Sequence, residues 1–478
     1  MVSLSFPLKI GFVSLGCPKN LVDSEVMMGQ LVARGHELTP RPDDADVIVV
    51  NTCSFIDLAK EESVSTILEM AEFKKSGKAQ RLVVAGCLVE RYRGDIQKDL
   101  PEVDAIVGTN EVERIVAACE GSAGSLPPVL EPYLYHEATP RVLATPKHSA
   151  YIKIAEGCDH PCTFCVIPHY RGAFRSRRFE SVVVEANRLL QQGVRELNLI
   201  GQDTTSYGED LGLKDGLAQL LGRLATIEAP QPYWVRFLYA YPNRVTQGLL
   251  DTIAAHDALP KYIDMPLQHA SANVLKRMKR GSHGGLFLKL IERIRRTIPG
   301  VALRTSFIVG FPGETQADFD ELCQFVEAAQ FDRVGVFTYS DEDTSQSFHL
   351  DGKVSKRDMA NRKRRLMALQ RKVSKRMNRR LVGSEHTVLV EGVSAETDLL
   401  WEARLATQAP EIDGVCYIND DNGFPLRPGE FRRFRVTEAH DYDLVGEVID
   451  AGEPVVAPPP VPFPILAGRA GNQISRGQ

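Results

Sequence analysis

The run Cys158-Asp159-His160-Pro161-Cys162-Thr163-Phe164-Cys165 follows directly on the apolar stretch 150–155. It puts three thiols into a single eight-residue loop. Thiolates bind iron–sulfur clusters, and a loop this short can wrap three of them around one cubane. Three ligands on four irons leave one iron open. An open position can take a substrate or cofactor, whereas a fully ligated site is structural or passes electrons. The competing reading is a structural zinc site completed by His160 or His169. Its weakness is that no second cysteine pair lies nearby in the sequence.

Outward from this loop, residues 150–345 alternate apolar runs with helical patterns. Strands are expected over 150–155, 196–200, 234–239, 262–265, 302–309 and 333–338. A closed eight-unit barrel usually takes about 250 residues, so six units predict a partial (βα)6 barrel. Residues 8–120 show a similar rhythm, with strands over 9–14, 45–51, 81–85 and 104–107 and helices over 20–34 and 56–75. Strands this apolar are buried on both faces, which means a parallel sheet covered by helices. Between the two series, 121–149 carries Gly121, Gly124, Pro127, Pro128, Pro132, Pro140 and Pro146 and reads as a linker.

Downstream, 356–380 holds twelve Lys or Arg and one Asp, a local net charge of +11. Met359, Leu366, Leu369, Val373, Met377 and Leu381 recur at helical spacing, so 356–381 is a basic connecting helix. A solvated face is its plain explanation. Residues 382–450 break into short alternating runs at 387–391, 415–418, 431–436 and 443–449, the pattern of a small β-barrel. The tail 451–478 carries six prolines and is expected to be disordered. The fold class is α/β: a parallel-sheet amino-terminal domain, a partial barrel and a small carboxy-terminal β-barrel. Three domains suit 478 residues at about 150 each.

The nine cysteines contain a second set. Cys17, Cys53 and Cys87 lie 36 and 34 residues apart, one βα unit each time, and each falls just past an expected strand. Ligands of open parallel sheets bind outside the carboxyl ends of the strands, and neighbouring strands are about 4.8 Å apart. Three thiols at three strand ends can therefore converge on one cluster. Gly16 and Gly86 let the backbone come close to it. Cys119, Cys323 and Cys416 have no such company and read as core residues.

Composition excludes other classes. Hydrophobic residues at 43% and charged residues at 25% rule out a disordered chain. No apolar run approaches the roughly 18 residues of a membrane-spanning helix. The first residues lack the basic and apolar regions of a secretory signal, so a cytoplasmic protein is expected. A net charge of −5 argues against general nucleic-acid binding by the whole molecule.

The cysteine loop and six βα units over 150–345 resemble the radical S-adenosylmethionine superfamily. The resemblance implies that Cys158, Cys162 and Cys165 hold a 4Fe–4S cluster. Its open iron would chelate the amino and carboxyl groups of S-adenosylmethionine. One-electron reduction would then cleave that cofactor to a 5′-deoxyadenosyl radical. Phe164 matches the superfamily's aromatic near the adenine. With both trios present, the chain from about residue 8 to 450 resembles a methylthiotransferase, with a cluster domain, a radical barrel and a TRAM domain. This implies a second 4Fe–4S cluster on Cys17, Cys53 and Cys87 that carries the sulfur to be inserted. No catalytic residue beyond the cluster ligands is singled out.

Cys17-Pro18-Lys19-Asn20-Leu21-Val22-Asp23-Ser24-Glu25 is similar to the family's ribosomal branch, as are 265–271 and 332–340. That branch modifies the β-carbon of an aspartate on small-subunit ribosomal protein S twelve. The alternative branch modifies an adenosine of tRNA. Either needs an electron donor, flavodoxin-like or ferredoxin-like. Charge bears on the choice: 382–450 holds 15 Asp or Glu and 5 Lys or Arg, a net of −10. Such a barrel should repel a phosphate backbone and attract a basic protein, which makes S twelve the expected partner and tRNA the unexpected one. No membrane partner is expected.

Overall fold

Val47–Thr52, with the sequence VIVVNT, is buried at every position. A strand with no polar face must lie inside a sheet covered on both sides, and it does. The computed structural model describes residues 7–122 and 133–452. Its first domain is a five-stranded parallel sheet of β1 (Lys9–Ser14), β2 (Glu37–Thr39), β3 (Val47–Thr52), β4 (Arg81–Gly86) and β5 (Ala105–Val107), in the order β2-β1-β3-β4-β5. Helices α1 (Pro18–Ala33), α2 (Asp57–Ser76), α3 (Cys87–Asp99) and α4 (Ile115–Glu120) pack against it.

The expected four strands are five. β2 has only three residues, too short to leave an alternating signature, and it pairs along the outer edge of β1.

The middle of the chain forms the partial barrel. A parallel ladder joins β6 (Ser149–Lys153), β9 (Glu196–Ile200) and β10 (Trp234–Phe237). A second joins β11 (Tyr262–Asp264), β12 (Ala302–Val309) and β13 (Arg333–Thr338). The ladders meet where Ala240 N donates to Asp264 O at 2.9 Å. A two-residue antiparallel pair, β7 (Ala155–Glu156) and β8 (Arg175–Ser176), frames the cysteine loop. Helices α5 (Ile167–Arg171), α6 (Phe179–Gln191), α7 (Gly216–Leu224), α8 (Gln247–Ala255), α9 (Ala272–Arg277), α10 (Gly284–Thr297) and α11 (Gln316–Ala329) connect the strands. α11 starts with a capping box, in which Thr315 and Asp318 satisfy each other's backbone N–H groups.

The basic helix α12 (Lys356–Arg379) buries Leu366, Gln370, Val373 and Ser374 against the barrel and turns most of its cations outward. It leads into a closed barrel of β14 (Glu385–Val393), β15 (Trp401–Leu405), β16 (Cys416–Asp420), β17 (Phe431–Ala439) and β18 (Leu444–Val448). β15 was not legible in the sequence, because its Arg404 is charged yet only 3% exposed. A buried guanidinium breaks the alternation that marks a half-buried strand.

The three units stack in order. The first domain covers the carboxyl ends of the barrel strands, where Gln202, Tyr239 and Glu342 lie. The small barrel covers the amino ends. There Trp234 packs on Phe431 with ring centroids 4.6 Å apart, Tyr262 Oη donates to Asp413 Oδ2 at 2.8 Å, and Arg333 Nη2 donates to Tyr442 O at 3.0 Å.

Of the expected linker 121–149, residues 123–132 lie outside the described residues. Residues 133–148 form no helix or strand, yet they are tied down. Arg141 reaches Glu25 of α1 at 2.5 Å and Glu185 of α6 at 2.8 Å, and Tyr135 is buried between them. The expected disordered tail lies, beyond Gly452, outside the described residues. Among the described residues no helix is long and apolar enough to cross a membrane.

Candidate active site

The loop with Cys158, Cys162 and Cys165 leaves the barrel after β7. It is pinned on several sides. Cys158 N donates to Gly172 O at 3.2 Å, and Cys165 N donates to Cys162 O at 3.1 Å. Thr163 N donates to Met278 O at 3.2 Å. Arg280 Nη1 lies 3.5 Å from Cys162 Sγ while its Nη2 donates to Pro266 O at 2.7 Å. The same guanidinium lies over the Tyr241 ring, which stacks on His160 at 3.7 Å. His160 Nε2 is 2.6 Å from Asp203 Oδ2. His160 is thus held by a carboxylate and a ring, and His169 is exposed on α5. Neither histidine is poised as the fourth ligand of a zinc site. Phe164 is half-buried against the barrel core.

The other trio sits where the sequence placed it. Cys17 follows β1, Cys53 follows β3 and Cys87 opens α3 after β4, and these are three adjacent strands. Cys17 caps α1, with Pro18 in the first turn, where its missing N–H costs nothing. The backbone comes close here because of two glycines. Gly16 has φ of +86°, and a Cβ on it would lie 2.7 Å from Cys53 Cβ. Gly86 has φ of +93°, and a Cβ there would lie 2.2 Å from Asn51 Oδ1. Asn20 and Asn51 knit the strand ends: Asn20 Nδ2 donates to Leu15 O at 2.7 Å, and Asn51 Nδ2 donates to Ser24 Oγ at 2.8 Å.

A buried polar seam, which the sequence did not reveal, joins the two trios. Arg171, at the end of α5, donates to Cys87 Sγ at 3.4 Å, Asn20 Oδ1 at 3.2 Å, Asp23 Oδ2 at 2.7 Å and Glu156 Oε2 at 3.2 Å. Lys153 pairs with Asp23 and, at 2.6 Å, with Glu156. Gln202 Nε2 donates to Glu156 Oε1 at 2.6 Å. One guanidinium six residues past Cys165 therefore touches the thiol of Cys87. The signal available in sequence was weak, since single charged residues on apolar strands carry no spacing rule. Farther out, Arg91 of α3 pairs with Glu342 and Asp343 beyond β13, and Lys60 of α2 pairs with Glu342 at 2.9 Å.

Burial acts on four of these thiols. Burial, then the neighbouring Cys87 and Cys17, pushes Cys53 up to about 12. Burial raises Cys87 as well, against the pull of Arg171. Burial raises Cys158 to about 11 and Cys165 to about 12; Cys162 adds to both, and Cys158 adds to Cys165. Each trio is close enough for its thiolates to repel one another. Bound iron supplies the positive charge that lets them ionise together. Among the described residues, no three His, Cys, Asp or Glu side chains close up tightly enough for a single metal ion. A four-iron cluster, being several atoms across, takes more widely spaced thiols. At the seam, the buried Asn51 Oδ1 and Gln202 Oε1 have no hydrogen-bond partner among the described residues. The two all-thiol donor sets fit a pair of cluster sites, and Arg171 runs from the chain just past one to Cys87 of the other.

The two trios, the partial barrel and the cluster domain over its mouth define a radical S-adenosylmethionine enzyme that uses two 4Fe–4S clusters. Known proteins bear this out. Residues 9–108 match "Uncharacterized protein family UPF0004", 152–326 match the radical SAM superfamily and 382–449 match the TRAM domain. A ribosomal protein uS12 methylthiotransferase RimO from Solibacter usitatus is 75% identical over 95% of this chain and 98% of its own. One from Koribacter versatilis is 58% identical over 93% of this chain and 97% of its own. The chain belongs to the ribosomal protein uS12 methylthiotransferase family. The radical S-adenosylmethionine methyltransferase TsrM of Kitasatospora setae shares the fold, with a TM-score of 0.52 at 15% identity over 70% of this chain and 72% of that one.

Proposed function

We propose that this enzyme inserts a methylthio group at the β-carbon of an aspartate of ribosomal protein uS12, working at the seam between the two cysteine trios. The observation that carries this is the single buried seam itself, with an all-thiol trio on each side and Arg171 touching both halves. In this reading Cys158, Cys162 and Cys165 hold one cluster, Cys17, Cys53 and Cys87 hold the other, and Phe164 borders the adenine. When bound, S-adenosylmethionine and the clusters supply a carbon radical, a methyl group and sulfur, chemistry that no side-chain base can perform on an unactivated C–H.

The chain's own residues do the rest. Arg280, Tyr241, His160 and Asp203 fix the barrel loop. Arg171, Asp23, Lys153 and Glu156 lock the cluster domain over the barrel mouth and exclude water from the seam. Burial raises Glu156, but Lys153 and Arg171 more than offset it and hold the carboxyl down at about 2, so it stays a carboxylate. The electrons come from a flavodoxin-like or ferredoxin-like donor, in the cytoplasm, where thiols stay reduced.

The small barrel's acidity is partly spent inside the molecule. Asp413 pairs with Arg304, Glu391 with Arg404, and Asp441 with Arg371 and Lys375 of α12. Glu430 is buried against Arg432, but Asp398, Asp420, Asp421 and Glu438 stay exposed, where they are available to a basic protein such as uS12. The test is direct. The reconstituted full-length enzyme, with S-adenosylmethionine and a reductant, is given uS12 or total tRNA, and both are analysed by mass spectrometry. A methylthio group on a uS12 aspartate and none on tRNA is expected. Methylthiolated adenosine with unmodified uS12 would reverse the assignment.

A further inference from the structure

Among the described residues, Lys19 is a cation of the seam that forms no ion pair with a carboxylate. It lies two residues past Cys17, on the first turn of α1, and is 8% exposed. Its Nζ sits 3.2 Å from the centroid of the Tyr239 ring. The neighbouring cations are all engaged. Arg171 and Lys153 share Asp23 and Glu156. Arg280 donates to a carbonyl and to Cys162. Lys60 and Arg91 meet Glu342. Among the described residues, no carboxylate lies within ion-pair distance of Lys19. An ammonium that lies on an aromatic face is held in place while its charge stays free to meet an anion.

Tyr239 is itself held in an unusual state. It follows β10 with φ of +66°, a conformation that costs a bulky residue energy and that clusters at functional sites. Its N donates to Asp264 Oδ2 at 3.0 Å, and its carbonyl accepts from Thr204 N at 3.2 Å. Two residues on, Tyr241 stacks on His160 of the barrel's cysteine loop. The segment from Tyr239 to Tyr241 therefore touches the first turn after Cys17 on one side and the Cys158 loop on the other.

We infer that Lys19 binds the side-chain carboxylate of the target aspartate and so sets the enzyme's preference for an acidic residue. This rests on the aspartate reading given above. The chemistry suits it closely. The β-carbon of aspartate is bonded directly to its carboxyl carbon, so an ammonium that fixes the carboxylate also fixes the C–H to be attacked. Tyr239 limits where the lysine can swing. A neutral nucleobase offers no charge to this site, so the same lysine disfavours it.

A double-mutant cycle tests the inference by binding, with the full-length cluster-loaded enzyme and full-length uS12. The four combinations are wild type or Lys19→Met with uS12 carrying Asp or Asn at the modified position. With the wild type, the Asn form should bind about tenfold or more weakly, as expected for a hydrogen bond between charged groups. Lys19→Met should bind both forms equally weakly, and Lys19→Arg should restore most of the preference. Should Lys19→Met fail to fold, the wild type and Lys19→Arg still decide. Equal binding of the Asp and Asn forms by the wild type overturns the role of Lys19. So does an undiminished preference in Lys19→Met. Failure of the wild type to bind uS12 in either form overturns the aspartate reading together with it.

Discussion

Alanine at Cys158, Cys162 and Cys165 together should leave the enzyme with about four of about eight irons and no reductive cleavage of S-adenosylmethionine. The two trios sit on different units, one in a loop after β7 and one on the ends of β1, β3 and β4, so neither needs the other to assemble. Only the loop trio belongs to the barrel itself. Radical generation should therefore vanish with it, while the cluster on the strand ends survives. Alanine at Cys17, Cys53 and Cys87 should do the reverse, keeping cleavage of S-adenosylmethionine and losing sulfur transfer. Iron content and release of 5′-deoxyadenosine read both variants. A loop variant that holds no iron, or a strand-end variant that still transfers sulfur, would break the assignment of two independent sites.

The largest expected effect on stability lies at the other end of the barrel. Glu196, fully buried at the start of β9, pairs with Arg404 of the small barrel at 2.6 Å and with Arg236 of β10 at 3.0 Å. Replacing it with Ala leaves the buried Arg236 without a carboxylate and leaves Arg404 with Glu391 alone. Breaking such a cluster typically costs about 3–5 kcal/mol. Because Arg404 belongs to the small barrel, the loss should also loosen its docking, which limited proteolysis near residues 380–384 would register. The same group gives a pH signature. Burial pushes Glu196 up, but Arg404 and Arg236 outweigh it and bring the carboxyl down to about 2. A carboxyl lowered on folding contributes stability above its unfolded value of about 4.3, and that contribution fades as pH falls through about 2. Urea unfolding of Glu196→Ala should show a reduced midpoint at neutral pH and a smaller gap from the wild type in acid. An unchanged midpoint at neutral pH would mean the ion cluster is not what joins the two barrels.

The barrel strands were legible as short, largely apolar runs between helical patterns, even where a run holds Glu196, Arg304 or Arg333. Residues 196–200, 302–309 and 333–338 were placed to the residue. The cysteine trios were legible because spacing alone reports them, three in one loop or one per βα unit. β2 escaped as a three-residue edge, and β15 escaped because Arg404 is buried for the sake of Glu196. The polar seam escaped for a related reason. Asp23, Lys153, Glu156 and Arg171 lie far apart in the chain, and only the fold turns them into one network. Net charge also misled in part. The count of −10 over 382–450 is true of the sequence, but Asp413 and Asp441 spend their charge on Arg304 and on α12.

The most direct test of the account follows a hydrogen atom. uS12 is prepared with aspartate deuterated at the β-carbon and given to the reconstituted enzyme with S-adenosylmethionine and a reductant. If the seam between the trios is where the aspartate is held and attacked, deuterium should appear in 5′-deoxyadenosine as methylthio-aspartate forms. The product should lack one deuterium at the β-carbon. Methylthiolated uS12 that forms with no deuterium in 5′-deoxyadenosine, or deuterium transfer with no sulfur gained by uS12, would contradict it.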